Sequence, residues 1–330
     1  MVAARKRIEG GVFLLILEAG WHDSDILAEE MAYANGRVLN LDLVLLYQLY
    51  PLAVVELGTI GKPLEITEGV ARYAAVNEIP YVLAADGEHV VGMATESAEA
   101  LGYPEFPAPT ELWTALGREP AEKDPRIYPP AERPEMEVTL PMALAVARAL
   151  DAIMDGERRV LLAMAEETGR GPAALQIAWK LLGSGRCRRA LYLVSRPEML
   201  DYAEWLFQPF GERAAILGGD RPVTGAEEVQ VAPMELLDKS KDLTPSTGAM
   251  PEQYDLVLIP DTEARADWES VSSCLGKSVV VGFSDKEPPS EGVTGFFGPP
   301  RFTYPLEAEL AMRAAAAEPA EDVFDELTRE

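Results

Sequence analysis

Cysteine and histidine are almost missing from this chain. Its 330 residues include two of each: Cys187 and Cys274, and His22 and His89. Neither pair has the spacing of a CxxC motif or a histidine metal box, which excludes a disulfide framework and a zinc site and fits a reducing, cytoplasmic location. The two histidines read as surface or capping residues. Long apolar runs are lacking too: no stretch approaches the roughly 20 residues that cross a membrane. Arg5, Lys6 and Arg7 precede the apolar run Val12 to Leu17, but Glu18 ends it short of a secretion signal, so it reads as a core element. Basic residues are scarce, 29 against 55 acidic ones, for a net charge of −26. Such a field repels phosphate backbones over a Debye length of about 8 Å. Nucleic acid is therefore disfavoured as a partner of the surface as a whole, while a solvated acidic surface and an acidic mimic of DNA both remain open.

The remainder is ordinary globular composition, 48% hydrophobic and 25% charged, in a chain long enough for two cores. The apolar pattern predicts a helix over 11–20, a strand pair at Leu39–Tyr47 and Leu52–Leu57, a helix near Ile66–Val76, and strands at Pro80–Ala84 and His89–Met93 about a turn at Asp86–Gly87. Strands flanking a helix make a mixed α/β sheet. Between Pro104 and Pro134 proline recurs every few residues among charges, which reads as an interdomain linker with one helical turn, Pro109–Leu116, carrying Trp113. Helices at Pro141–Asp155 and Ala173–Leu182 then alternate with strands at Arg159–Ala163, Ala190–Val194, Ala214–Leu217, Val229–Ala232, Leu256–Ile259 and Val279–Gly282, the rhythm of a doubly wound parallel sheet. An alanine-rich helix, Leu306–Ala317, and an acidic tail, Glu318–Glu330, follow. The predicted division is 1–103, a linker at 104–135, 136–304, and the helix and tail at 305–330. Trp113, Trp179, Trp205 and Trp268 lie in apolar or helical contexts that core packing explains.

The first place to look for chemistry is the loop after the strand Arg159–Ala163, where a Gly-bearing turn enters a helix and backbone N–H groups would attract an anion. A working phosphate loop reads G-x-x-x-x-G-K-[ST], with lysine on the terminal phosphates and the hydroxyl on magnesium. This one reads Ala165-Glu166-Glu167-Thr168-Gly169-Arg170-Gly171-Pro172, with Arg170 at the lysine place and Gly171 at the hydroxyl place. Each of Glu166 and Glu167 would oppose a phosphate by about 4 kcal/mol per unit-charge contact at 4 Å and an effective dielectric of 20. Pro172 suits a first helical turn. The loop reads as a structural turn, with weak nucleotide binding as the alternative.

The segment Asp151–Ser195, followed by Val229–Ala232, Tyr254–Ile259, Trp268 and Phe297–Glu307, resembles the first motor domain, a RecA-like fold, of type I restriction enzyme R subunits. The resemblance implies a doubly wound parallel sheet there. In that family an Asp-Glu pair positioning magnesium and water follows the strand equivalent to Leu256–Ile259. Here Pro260 and Asp261 begin Pro-Asp-Thr-Glu, a vestigial Walker-B region, and the family's Thr-Ala-Thr-Pro motif appears as Ser284-Asp285-Lys286-Glu287. The stretches Asp42–Leu46, Pro51–Glu56 and Tyr81–Gly87 resemble the family's nuclease domain, of PD-(D/E)xK type, which implies a restriction-endonuclease-like mixed sheet. That chemistry needs two carboxylates on neighbouring strands and a lysine two residues after the second, facing the same metal because side chains alternate. Asp42 and Glu56 stand at the carboxylate places, Gly58 at the lysine place, and Tyr73 with Gly69 at the family's Gln-x-x-x-Tyr motif; Lys62 is the lysine within loop reach.

These positions are expected to be vestigial: no catalytic residue, no cofactor and no metal. The implied function is a pseudoenzyme acting as a binding or regulatory component in DNA restriction or defence, with a protein partner such as a restriction-complex component. A residual Mg²⁺-dependent endonuclease using Asp42 and Glu56, a weak ATP-binding protein using Arg170, and an acidic DNA-mimic inhibitor are the alternatives. In the tail, Val323, Phe324 and Leu327 among acidic residues would form an apolar stripe that folds on a partner's groove or stays frayed.

Overall fold

The computed structural model describes residues 11–34, 37–58, 62–165, 168–217, 224, 226–237, 254–265, 267–268, 275–304, 307–308 and 310–311, with side chains at 29–34 and 37–38 left aside. Glu166, Glu167, Cys274 and the acidic tail lie outside these residues. So does most of the predicted helix Leu306–Ala317, of which 307–308 and 310–311 are helical.

Helix α1 (residues 11–18) precedes a six-stranded mixed sheet: β1 (Ile26–Ala34), β2 (Arg37–Tyr47), β3 (Tyr50–Leu57), β4 (Tyr81–Ala85), β5 (Val90–Ala94) and β6 (Glu99–Tyr103), side by side in that order. All neighbours are antiparallel except β3 and β4, which α2 (Glu68–Val76) connects as a crossover. Alternation sorts the side chains onto two buried faces. Val44, Leu46, Val54 and Val82 join one core, and Leu43, Leu45, Val55 and Leu83 join another with Val12 and Ile16 of α1. The predicted strands at 39–47, 52–57, 80–84 and 89–93 correspond to β2 to β5. The outer strands β1 and β6 were not foreseen. Ile-Leu-Ala-Glu-Glu-Met-Ala-Tyr-Ala reads as helix former, and β6 is largely exposed, so cross-strand pairing rather than apolar alternation makes both of them strands.

The second sheet has seven strands, all parallel, in the order β13-β7-β12-β11-β8-β10-β9. They are β7 (Arg159–Met164), β8 (Ala190–Val194), β9 (Ala214–Ile216), β10 (Val229–Pro233), β11 (Leu256–Ile259), β12 (Val279–Ser284) and β13 (Phe302–Tyr304). Helices α4 (Leu140–Met154), α5 (Arg170–Gly183) and α6 (Leu200–Leu206) cover one face, and α7 (Glu291–Phe297) with Trp268 covers the other. Burial on both faces explains why these strands read as unbroken apolar runs. Helix α4 starts where the Thr139 hydroxyl accepts the Met142 N–H at 3.4 Å, with Pro141 in the first turn, and stops at Gly156 in the left-handed region (φ 94°). It is apolar nearly all round because it lies between the two sheets, sharing one core with Val54 and Val82 on one side and Val160 and Leu162 on the other.

The proline-rich stretch packs against the protein on either side of an exposed segment at 119–123. Helix α3 (Pro109–Ala115) inserts Trp113, fully buried, edge-on to Tyr47 and Tyr50 at 6.0 and 5.1 Å, with the Arg118 and Arg126 guanidiniums over its ring. The chain then runs along α5. Gln176 exchanges two 2.9 Å hydrogen bonds with the backbone of Ala131, Trp179 Nε1 donates to Pro129 O at 3.1 Å, and Lys180 Nζ donates to Tyr128 O and to Arg126 O at 3.4 Å. Proline has no N–H, so such a strap mainly needs donors for its carbonyls. Positions 176, 179 and 180 supply them from one helical face.

Candidate functional site

In the first sheet Leu43 pairs with Val55, which sets Asp42 and Glu56 beside each other one position further on. The structure therefore brings together the two predicted carboxylates, and both are half-buried. Their oxygens are engaged by the chain itself. Asp42 Oδ2 accepts the Leu57 N–H at 2.8 Å, and Glu56 accepts Thr67 N–H and Thr67 Oγ1–H, each at 2.7 Å. Thr67 is in turn the N-cap of α2, so Glu56 fastens a helix start. Donors aimed at these oxygens compete with any cation for them. Gly58 donates its N–H to Ala85 O at 2.7 Å, and a Cβ built there would overlap Leu64 Cδ2 and lie 3.3 Å from Asp86 Cβ. The space a lysine stem would need is filled. Lys62 and Gly69 are exposed, and Tyr73 lies on the buried face of α2.

The loop after β7 enters α5 through Gly169 in the left-handed region (φ 93°), and the Thr168 hydroxyl turns back to donate to Ala165 O at 2.7 Å. Arg170 is almost wholly buried and spans to the next loop, donating Nη1–H to Pro260 O at 3.2 Å. A Cβ on Gly171 would overlap the Tyr202 hydroxyl and lie 3.1 Å from Tyr202 Cζ. The ring of Tyr202, stacked on Trp205 at 5.6 Å, thus covers the place where a metal-binding hydroxyl would project. What remains is a cavity of about 310 Å³ lined by Arg170, Gly171, Tyr192, Tyr202, Pro260 and Asp261, at the carboxyl ends of the parallel strands where open α/β sheets bind ligands. Asp261 caps the turn Thr262–Ala264 by accepting the Ala264 N–H at 3.2 Å.

Sequence reasoning missed two features. Tyr202 is one, since no local pattern links it to Gly171. The other is Glu263, which accepts Ser284 Oγ–H at 2.9 Å, Ser290 N–H at 3.0 Å and Lys286 Nζ–H at 3.0 Å. Burial alone would raise its carboxyl pKa, but these hydrogen bonds outweigh it and hold the group below the usual carboxylate range. They staple the loop after β11 to the loop after β12. The signal was present as Thr-Glu and Ser-Asp-Lys after two strands, legible only once Ile259 is known to neighbour Gly282.

The other candidates have structural places. His22 caps the turn Asp23–Asp25, and His89 is exposed beside Asp86. Burial, then the nearby Asp255, pushes the Cys187 thiol up to about 12, which removes it as a nucleophile. Trp113 and Trp268 are core residues, whereas Trp205 is an exposed platform on which the Arg133 guanidinium stacks at 3.8 Å.

No profile of a known protein family matches the chain. Among individual proteins it is 26% identical over 342 aligned residues to the endonuclease subunit of the type I restriction enzyme EcoAI of Escherichia coli, covering 88% of this chain and 40% of that subunit. It is 31% identical over 105 residues to the EcoKI endonuclease subunit of E. coli K12, covering 32% of this chain and 9% of that subunit. The chain spans about two fifths of the EcoAI subunit's length. The solved fragment of an HsdR subunit of a type I restriction enzyme from Vibrio vulnificus superposes with a TM-score of 0.64 over 89% of this chain and 57% of that one, at 22% identity. The solved fragment matches the fold of a mixed sheet followed by a parallel sheet, and the alignment over most of the chain carries the relationship: the chain is homologous to the endonuclease (HsdR) subunits of type I restriction enzymes.

Proposed function

We propose that this chain works in a restriction system as a binding or regulatory component, bearing a nuclease-like domain and a RecA-like domain whose catalytic sites no longer operate. The observation that carries this reading is the Tyr202 ring against Gly171. A phosphate loop acts through a lysine and a hydroxyl that meet the terminal phosphates and magnesium, and here an arginine is drawn to a backbone carbonyl and a tyrosine fills the hydroxyl's place. Glu56, committed to Thr67, and Gly58, hemmed by Leu64, support the same reading for the other site. In this reading no cofactor is used, the location is cytoplasmic, and the partner is a protein of the restriction complex.

Two measurements test it. In isothermal calorimetry Mg-ATP should bind more weakly than about 1 mM, about 4 kcal/mol of binding free energy; saturable micromolar binding lost in Arg170→Ala would overturn the proposal for the second domain. Supercoiled DNA should stay intact with Mg²⁺ or Mn²⁺. Cleavage that disappears in both Asp42→Ala and Glu56→Ala would establish a living nuclease instead.

A further inference from the structure

Since every strand of the second sheet points the same way, all the amino-terminal ends meet along one edge, opposite the Arg170 cavity. Cations gather there: Arg158 before β7, Arg186 and Arg188 before β8, Arg213 before β9, Lys277 before β12 and Arg301 before β13. Two of them are neutralised, Arg213 by Glu228 at 2.9 Å and Arg301 by Glu157. Arg158, Arg186, Arg188 and Lys277 are exposed and have no carboxylate partner among the described residues. Three of these, Arg158, Arg186 and Lys277, line a cavity of about 380 Å³.

Two carboxylates, Glu157 and Asp255, line the cavity with them. Glu157 is held by Arg301, and Asp255 Oδ2 accepts the Arg188 and Arg189 N–H groups at 2.7 and 3.4 Å. Asp155 is exposed at the end of α4. The carboxyl end of α4, with Ile153 in the lining, also reaches the cavity and presents about half a negative charge. With Glu157 matched by Arg301, the three free cations of the lining and Arg188 beside them exceed Asp155, Asp255 and this dipole, so the cavity carries a small positive excess on a chain of net charge −26.

We infer that this cavity binds a compact, phosphate-bearing anion. A long polyanion such as duplex DNA extends past the island, into the repulsion of the surrounding acidic surface; an anion small enough to sit inside 380 Å³ meets Arg158, Arg186 and Lys277, beside the carboxylates of Glu157 and Asp255. The site lies at the sheet edge opposite the Arg170 loop, so it is independent of the nucleotide reading above.

Inorganic pyrophosphate titrated into the full chain by calorimetry at low ionic strength is the test. Saturable binding is expected, weakened about tenfold or more by each of Arg158→Ala, Arg186→Ala and Lys277→Ala, falling with added salt, and unchanged in Arg170→Ala. These three side chains are exposed and unpaired, so the variants should keep the parent's melting temperature. Absence of binding at millimolar pyrophosphate, or binding that the three variants leave intact, overturns the inference. Loss in Arg170→Ala alone would do the same, by moving the anion to the other edge. A short DNA duplex that competes with pyrophosphate at equal phosphate concentration would overturn the restriction to compact anions.

Discussion

Replacing Lys180 by methionine is expected to lower the unfolding free energy at pH 7 by about 1–3 kcal/mol, the usual cost of leaving buried carbonyls without a donor. Lys180 is completely buried, and its ammonium bridges three parts of the molecule. It donates to Gln48 O at 2.6 Å, to Tyr128 O and to Arg126 O, tying the β2–β3 turn and the proline-rich strap to α5. The turn needs the tie: Gln48 and Leu49 both have positive φ, 54° and 69°, a strained pair for residues other than glycine or asparagine. Methionine would fill the volume and leave three carbonyls without their donor. Urea unfolding of the two proteins is the measurement, and a difference below about 1 kcal/mol would show that the turn and strap hold without the ammonium.

The same lysine predicts a pH signature. Burial, offset in part by Asp25 and Asp124, pulls its pKa down from 10.5 to about 7. Between those values the unfolded chain binds the extra proton, so the Lys180 contribution to stability rises with pH across that window, by up to about 1.4 kcal/mol per unit. Asp25 behaves oppositely. Burial pushes its carboxyl up from 3.8 to about 6, so the folded chain binds the extra proton, and its contribution is lost as pH rises through about 6. Together the pair contributes least between pH 6 and 7. Lys180→Met should abolish the rise above pH 7, and superimposable stability profiles of parent and variant in that range would contradict this account.

The second large effect is expected at Asp151. Its carboxylate accepts the Tyr50 hydroxyl at 2.7 Å and faces Arg118, Arg148 and Arg126 at 3.3, 3.4 and 3.7 Å. Tyr50 belongs to the first sheet, Arg118 and Arg126 to the strap, and Arg148 to α4, so one acid on α4 joins all three. Alanine there would leave the buried Tyr50 hydroxyl and the Arg118 guanidinium without their acceptor, while Arg126 keeps Asp124 and Arg148 keeps Glu78, at a cost of about 2–3 kcal/mol. Asparagine, which keeps an acceptor for Tyr50 but not the charge, should cost about half as much. Because Arg118 and Arg126 also lie over Trp113, the Asp151→Ala variant should change tryptophan fluorescence in the folded state; an unaltered spectrum with unaltered stability would place the anchor elsewhere.

The mixture of legible and illegible elements has a physical pattern. Val160–Met164, Ala190–Val194, Leu256–Ile259 and Val280–Phe283 were readable as strands because both faces of a parallel sheet are buried and every residue must be apolar. The predicted helix Pro141–Asp155 matches α4, which Thr139, Pro141 and Gly156 bound through capping chemistry that acts within a few residues. Strands β1 and β6 escaped notice because edge strands are defined by the neighbour they pair with. The proline-rich segment was recognisable as a connection, but its docking depends on Gln176, Trp179 and Lys180, some fifty residues away.

For the candidate site, the sequence by itself determined which chemical groups are available: two carboxylates at Asp42 and Glu56, glycine at 58 and 171 where catalysis would want a lysine and a hydroxyl, an arginine at 170, and a large excess of acid. Residue identity is sufficient for that, because a missing functional group cannot be supplied by folding. Only the tertiary structure decided what occupies the resulting spaces. Leu64 and Tyr202 fill the places beside the two glycines, Thr67 takes Glu56, and the shared direction of seven strands gathers scattered arginines and a lysine on one edge. Those contacts join residues distant along the chain, and their partners are chosen by strand order and packing, which no local pattern encodes.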